Sequence, residues 1–217
     1  MIFVVQILDP SRPLSGLHAW LSSADHAHPA ELIFVLAGHM SRKDYALQLF
    51  RKGLAPSLLF SVGRFEIRRF SKLALPVPLD LLKLAQDVPP PRRHFFVLFQ
   101  GTECHVEHVP PRRFGTLTEI ASLARWLDAN PEVQSLILIS SETHLRRIRV
   151  CCRSLLPRGV EVALLAVPNS FSDSADQQSS AMQSTGRDLL EFFKVLVYRV
   201  LLTLRLYRRA AGPEGKR

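Results

Sequence analysis

The chain is poor in the residues and runs that mark secreted or membrane-spanning proteins. It contains three cysteines in 217 residues, and two of them, Cys151 and Cys152, are adjacent, which forbids an ordinary bridge between them. The apolar start, MIFVVQILDP, is too short to span a bilayer and has no basic residue before it, so it makes a poor signal peptide. We therefore expect reduced thiols, a cytoplasmic location and an N-terminal segment, residues 1–30, that packs on the domain.

Familiar catalytic signatures are also missing. The sequence has no Walker loop, no HExxH zinc motif, no Ser-His-Asp order and no internal repeat. Acidic residues are fewer than basic ones, and 19 Asp and Glu against 28 Lys and Arg give a net charge of +9. This excess favours an anionic partner: a phosphate ester, a nucleic acid or an acidic membrane surface. Hydrophobic residues make up 47% of the chain, enough to bury a core and to exclude wholesale disorder.

Strand-like and helix-like segments alternate along the sequence. The strand-like segments are apolar runs at 31–38, 55–61 (ending at Ser61), 135–140 and 160–168, with a hairpin at 94–109 around Gly101. The predicted helices are 41–53, with Ser41 as N-cap and Gly53 as the stop, 78–87, 116–129, 143–156 and 187–208. Residues 169–186 are typical of a mobile loop, and 210–217 of a disordered tail. This order predicts one Rossmann-like domain at 31–209, with three α/β/α layers and a mainly parallel sheet of about five strands.

Small, hydroxyl and cationic residues collect just beyond the ends of the predicted strands. They are Gly38, His39 and Arg42; Ser61, Gly63 and Arg64; Arg112, Arg113, Gly115 and Thr116; and Ser140, Ser141, His144 and Arg147. In parallel sheets, ligands bind beyond the carboxyl ends of the strands and at helix N-termini, where backbone N–H groups are exposed. Glycine lets a ligand approach closely, and arginine offers a forked pair of donors. The pattern predicts a site for a small anionic ligand. The alternative is that the Ser and Gly residues only form turns and the arginines only lie on a solvent-exposed face.

Several of these segments resemble the YdcF-like family, a domain of unknown function that includes the SanA and ElyC groups. FVLAGHMSRKDYALQLFRKGLAPSLLFSVG is similar to the family's opening, in which Arg42, the GLAP at 53–56 and Ser61 match. GTLTEIASLARWL resembles its Thr-x-x-Glu helix start at Thr116 and Glu119. SSETHLRRIR resembles its Ser-x-x-His-x-x-Arg element, and LLEFFKVLVYRV its terminal helix. The resemblance spans about residues 31–203. It implies a role in cell-envelope upkeep and adds S-adenosylmethionine to the nucleotides as candidate cofactors.

The sequence leaves catalysis open. His144 is suited to general acid–base chemistry near neutral pH, and Glu119 could orient it or accept a proton, which would suit a hydrolase or a group-transfer enzyme. A capping box formed by Thr116 and Glu119 explains Glu119 without catalysis. Binding without catalysis is therefore the first hypothesis, and an enzyme that uses His144 and Glu119 is the second.

Residue spacing argues against metal and nucleic-acid partners. Asp25, His26 and His28 form one cluster and His105, Glu107 and His108 another, but strand alternation divides the second between two faces, so no metal site is predicted. Paired arginines are scattered over several elements without exposed aromatic residues between them, so nucleic acid is not expected.

The terminal helix leaves membrane attachment open. Glu191, Lys194, Arg205 and Arg208 fall on one side of it at helical spacing, and the rest of its surface is apolar. Charge interrupts the run too often for it to span a bilayer. The helix can therefore pack on the sheet, or it can lie on an acidic membrane surface as a peripheral anchor.

Overall fold

The computed structural model describes residues 19–22, 24–109, 115–171 and 181–203. The strands, in chain order, are β1 (Leu32–Val35), β2 (Ser57–Gly63), β3 (His94–Gln100), β4 (Glu103–His108), β5 (Ser135–Ser140) and β6 (Glu161–Ala166). They form one sheet in the order β4-β3-β2-β1-β5-β6. The strands β2, β1, β5 and β6 run parallel to one another, whereas β3 is antiparallel to both β2 and β4.

The predicted α/β class with a mostly parallel sheet is therefore confirmed. The number of strands differs from the prediction, because the predicted hairpin joins the sheet beside β2 and brings the count to six. The strand predicted at 135–140 is β5. The strand predicted at 31–38 is shorter, since β1 ends at Val35, and β2 continues two residues beyond Ser61.

Residues 19–21, before β1, are helical, and the other helices of the described residues lie between and after the strands. They are α1 (Met40–Arg51), α2 (Ile67–Phe70), α3 (Leu81–Leu84), α4 (Gly115–Ala129), α5 (Leu145–Leu155) and α6 (Ala181–Thr203), with 3-10 turns at Pro90–Arg92, Glu142–His144 and Asn169–Phe171. Within these residues, no helix combines the length and the apolar content needed to cross a membrane.

Several helix boundaries differ from the prediction. The N-cap of α1 is His39, whose backbone is extended, rather than Ser41, while Gly53 ends the helix with a φ of +76° as predicted. The helix predicted at 78–87 shrinks to α3, which is capped by Asp80; prolines before and after it cannot supply the N–H groups of a longer helix. The helix predicted at 143–156 opens with a 3-10 turn and becomes α-helical at Leu145.

The loop predicted at 169–186 is wrong at both of its ends. Asn169–Phe171 forms a 3-10 turn, and α6 already begins at Ala181, six residues before the predicted start. Polar residues suggested a loop, but the first turns of α6 include Ala181, Met182 and Gln183, which are good helix formers. Residues 1–18, 23, 110–114, 172–180 and 204–217 lie outside the described residues. With them lie the predictions for the N-terminus, Arg112, Arg113, the helix end at 208 and the tail.

Alternate residues of the central strands enter two separate buried clusters. Leu32 and Phe34 of β1 belong to a cluster that includes residues of α4 and α5, whereas Ile33 and Val35 belong to one that includes residues of α1 and α2. All four β1 side chains are fully buried. This packing fixes the strand register, so the carboxyl ends of β1, β2 and β5 meet at one edge of the sheet.

Candidate functional site

The carboxyl-terminal edge of the parallel strands brings most of the predicted site residues together. The antiparallel strand β3 begins at this same edge, because His94 pairs with Gly63 at the end of β2. The helices α1, α4 and α5 each start near the edge and carry charged side chains within their first two turns. The edge thus receives side chains from both parallel and antiparallel parts of the sheet.

Arg42 lies at the centre of the first group of contacts. Its Nε and Nη2 donate to the Ser141 hydroxyl at 3.2 and 2.8 Å, its Nη1 donates to the Ala37 carbonyl at 3.0 Å, and Nη2 lies 3.2 Å from His144 Nδ1. The side chain is almost fully buried, with 5% of the residue exposed. Among the described residues, no carboxylate oxygen lies within 4 Å of its guanidinium. The hydrogen-bond partners of the buried Arg42 guanidinium are therefore uncharged, and Glu119 and Glu66 act on its charge from a longer distance.

Gly38 allows the guanidinium to lie this close to the backbone. Its φ of +135° is a conformation that favours glycine, and a Cβ at this position would lie 2.9 Å from Arg42 Nη1. The absence of a side chain at residue 38 is thus needed for the position of Arg42.

His144 lies beside Arg42 as a neutral imidazole. Burial, followed by the charge of Arg147, lowers the pKa of His144 to about 4. Because Arg42 donates to Nδ1, the ring proton belongs on Nε2, which lies 3.5 Å from Glu191 Oε1. Both ring nitrogens thus have partners within the protein.

A second group of contacts joins Glu119, Ser61 and His94. Glu119 Oε1 accepts from the Ala37 backbone N–H at 2.7 Å and from the Ser61 hydroxyl at 2.5 Å, and Ser61 Oγ lies 2.7 Å from His94 Nε2. Since the single Ser61 proton goes to Glu119, His94 must donate through Nε2–H. Burial raises the pKa of Glu119, and burial lowers the pKa of His94 to about 4.

These contacts correct two predictions for Glu119. The predicted capping box is wrong, because α4 begins at Gly115, before Thr116. The Glu119 carboxylate instead accepts from Ala37, two residues beyond β1, and from Ser61 of β2. The hydrogen bonds and ion pairs of the described residues do not join Glu119 to His144, whose carboxylate partner is Glu191. The predicted acid–base pair is therefore not in contact.

Glu66 takes the backbone N–H groups that were expected to bind an anion. Its carboxylate accepts from the N–H of Gly38 and, at 3.3 Å, from that of Gly63, and it pairs with the buried Lys43 ammonium at 2.8 Å. Burial raises the pKa of Glu66, and the charge of Lys43 opposes that effect. The N–H groups of Gly38 and Gly63 are thus already hydrogen-bonded to the Glu66 carboxylate.

Arg147 binds a carboxylate of the terminal helix. Its Nη1 donates to Glu191 Oε2 at 2.5 Å, and Lys194 donates to Glu191 Oε1 at 2.7 Å. Burial alone would raise the pKa of Glu191, but the hydrogen bond from Lys194 and the charge of Arg147 lower it overall. Arg147 is therefore a buried brace between α5 and the carboxylate of Glu191 on α6.

The other predicted residues lie around this edge in different settings. Ser140 is buried, and its hydroxyl has no hydrogen-bond partner among the described residues. Thr116 hydrogen-bonds Tyr198. His39 and Gly115 are exposed at the starts of their helices. Arg64 is exposed and lies over the Phe65 ring, 4.3 Å from its centroid.

Sequence reasoning missed Lys43, Glu66 and His94. Each of the three has a simpler interpretation from the sequence: Lys43 as a helix-surface residue, Glu66 as a turn residue and His94 as the first residue of a hairpin. An antiparallel pairing of the hairpin with β2 would have revealed His94, since it puts the first hairpin residue at the carboxyl end of β2.

The two clusters considered for metal binding lie away from this edge, and several of their side chains have hydrogen-bond or ion-pair partners. His105 contacts Glu103, His108 contacts the Arg92 carbonyl, and Asp25 binds Arg149 and the Leu164 N–H. No group of three metal-binding side chains is found in the described part of the chain. A cavity of about 310 Å³ between the hairpin and α4, lined in part by Phe96 and Trp126, is also separate from the Arg42 edge.

Comparison with known proteins found no family model, curated protein or solved structure that matches this chain.

Proposed function

We propose that the protein binds a small phosphate-like anion at the carboxyl-terminal edge of the sheet, with Arg42 as the main contact. The observation that carries this proposal is the burial of the Arg42 guanidinium among uncharged partners within the described residues. A buried charge is costly unless it is paired, so an anion at this position would be strongly favoured.

The contact with Ser141 supplies the geometry for such a ligand. The Nε–H and Nη2–H of Arg42 form the fork that binds two oxygens of a phosphate or carboxylate, and one hydroxyl oxygen now occupies it. Ser141 is half-buried, and its own O–H has no acceptor among the described residues. A small rotation of Ser141 would therefore let an anion take the fork and a hydrogen bond from the hydroxyl.

Binding is favoured over hydrolysis or group transfer. A general base needs a lone pair that faces the substrate, but His144 Nδ1 accepts from Arg42, and its Nε2–H faces Glu191. Ser61 is a poor nucleophile candidate because it is fully buried and donates to Glu119. His144 in this arrangement positions Arg42 for the ligand.

We also propose that the chain is a YdcF-like domain with a Rossmann-like, three-layer arrangement. The contacts between its matching motifs support this: Arg42 with Ser141, Ser61 with Glu119, and Arg147 with the terminal helix. The two buried clusters on alternate strand residues support the layers. On this proposal the ligand is a nucleotide, a sugar phosphate, a polyprenyl phosphate or S-adenosylmethionine, and the protein acts in the cytoplasm in cell-envelope upkeep.

Calorimetric titration with these ligands and with inorganic pyrophosphate tests the proposal. Arg42→Gln is expected to weaken the bound ligand at least about tenfold, because a charge-assisted hydrogen bond contributes roughly 1.5–3 kcal/mol. Arg42→Lys keeps the charge and should recover part of the affinity. Arg68→Gln removes the same charge at an exposed position and should bind as wild type does. If Arg42→Gln folds and binds every ligand as tightly as wild type, the edge is not the site.

A further inference from the structure

The outer face of α6 is apolar and uncovered by the described residues. Six side chains form an outer stripe along it, namely Leu189, Leu190, Phe193, Leu196, Val197 and Val200. Phe193 is 61% exposed and Val200 is 57% exposed. Soluble proteins rarely leave a contiguous apolar face of this kind in water, so the outer stripe indicates an interaction surface.

The same helix turns its acidic residues inward. Asp188 and Glu191 are buried together with Val195 and Tyr198, on the side opposite the outer stripe at 3.6 residues per turn. The sequence pattern placed Glu191 and Lys194 on one side of the helix, and in the structure Glu191 on that side is buried against Arg147. Among the described side chains of α6, the charged groups that reach solvent are Lys194 and Arg199, and both are cationic.

A cluster of arginines lies on α5 and on α6, where Arg199 is next to Val200 of the outer stripe. Arg146, Arg149 and Arg153 share one face of α5 by their spacing, and Arg199 of α6 joins them to form the arginine cluster. Burial lowers the pKa of Arg146, and the nearby charges of Arg199, Arg153 and Arg149 lower it further. Arg146 also stacks on Trp20, with its Cζ 4.4 Å from the ring centroid.

We infer that the outer stripe and the arginine cluster dock the protein on an anionic lipid membrane surface. The stripe would enter the boundary between headgroups and acyl chains, while Arg146, Arg153 and Arg199 contact lipid phosphates; Arg149 is already paired with Asp25. Charge favours a membrane over a second copy of the chain, because two copies would bring the arginine clusters and two net charges of +9 together.

Co-sedimentation of the full chain with lipid vesicles tests this inference. We expect binding to vesicles that contain phosphatidylglycerol, weaker binding at high salt, and little binding to pure phosphatidylcholine. Phe193→Ser combined with Val197→Ser should weaken the binding at least about tenfold, because it removes apolar area that the lipid would bury. Arg153→Gln combined with Arg199→Gln should weaken it about fivefold or more and reduce its salt dependence.

A matched control carries serines at exposed apolar residues elsewhere. Phe65→Ser with Leu84→Ser removes similar apolar area outside the outer stripe and should bind vesicles as wild type does. Thermal unfolding checks that every variant is folded. The inference is overturned if wild type does not bind anionic vesicles, or if the stripe variant binds them as tightly as the control does. It is also overturned if light scattering shows that wild type is a dimer, that the stripe variant is a monomer, and that neither binds vesicles.

Discussion

At the scale of single residues, Gly38 is the position with the tightest steric requirement. Its φ of +135°, and the 2.9 Å that would separate an alanine Cβ from Arg42 Nη1, mean that Gly38→Ala must shift both backbone and guanidinium. We expect a loss of roughly 1–3 kcal/mol in the free energy of unfolding, measured by urea denaturation. Gly53→Ala is the control. Gly53 also has a positive φ, +76°, but no atom lies within 4 Å of the place its Cβ would take, so this variant loses stability through the backbone conformation alone. Equal losses in the two variants would show that the Arg42 contact does not contribute.

His94 makes stability depend on pH. Its pKa is about 4 in the folded protein, because burial and then the charge of Lys43 lower it, whereas an unfolded histidine titrates near 6.5. Between these values the unfolded chain binds a proton that the folded protein does not, so the free energy of unfolding falls as the pH drops from about 6.5 towards 4. His144 acts in the same direction.

We expect His94→Gln to flatten this pH dependence, measured by urea unfolding at several pH values from about 4.5 to about 7.5 on the same buffer scale. Glutamine keeps a side-chain N–H for Ser61 but does not titrate. The raised pKa of Glu119 opposes the histidine effect, so the informative quantity is the difference between wild type and variant. Parallel curves for the two proteins would contradict the assignment of this proton to His94.

Individual site residues were predictable where their chemistry followed directly from a strand end. Arg42, Ser141 and His144 were expected at one edge, and they contact one another there. The carboxylates were not predictable in the same way, because their partners depend on which distant N–H group each one reaches. Glu66 looks like an ordinary turn residue in the sequence, yet it accepts from Gly38, 28 residues away.

At the scale of elements, the ion pair of Arg147 and Glu191 joins α5 to α6. Both side chains are buried, so removing one charge leaves the other without compensation. Glu191→Gln is expected to cost about 3 kcal/mol in the free energy of unfolding by urea denaturation. Glu103→Gln, in an exposed contact with His105 on β4, should stay close to wild type. If both variants lose the same small amount, the pair does not hold α6 in place.

Elements with a clear apolar period were predicted well, and elements defined by polar composition were not. The strand at 135–140 and the helix beginning near Thr116 follow from burial, which leaves a strong pattern in the sequence. The start of α6 does not, because its first two turns contain Ser184, Thr185 and Gly186, residue types that are common in loops. The orientation of α6 was also not predictable, since an apolar face looks the same whether a sheet, a membrane or another chain covers it.

At the scale of the whole molecule, the strand order determines where the fold is most stable. β1 lies between two parallel strands and has fully buried side chains, whereas β4 forms an edge of the sheet and is largely exposed. Amide hydrogens in central strands exchange only when a larger part of the structure unfolds than is needed for exchange in edge strands. Hydrogen exchange should therefore be slowest in β1 and β5 and fastest, among the strands, in β4.

The same measurement tests the anion site within the intact protein. A ligand that binds the folded state stabilises it, and local protection rises most where the ligand orders the chain. With saturating inorganic pyrophosphate, we expect slower exchange in peptides that cover residues 36–42 and 140–145, and unchanged exchange in β4, because Arg42 and Ser141 lie at the opposite side of β2 from the hairpin edge. The Arg42→Gln variant should lose this response while keeping the ranking of the strands. A uniform slowing across all strands, or protection confined to β4, would place the bound anion elsewhere on this basic protein.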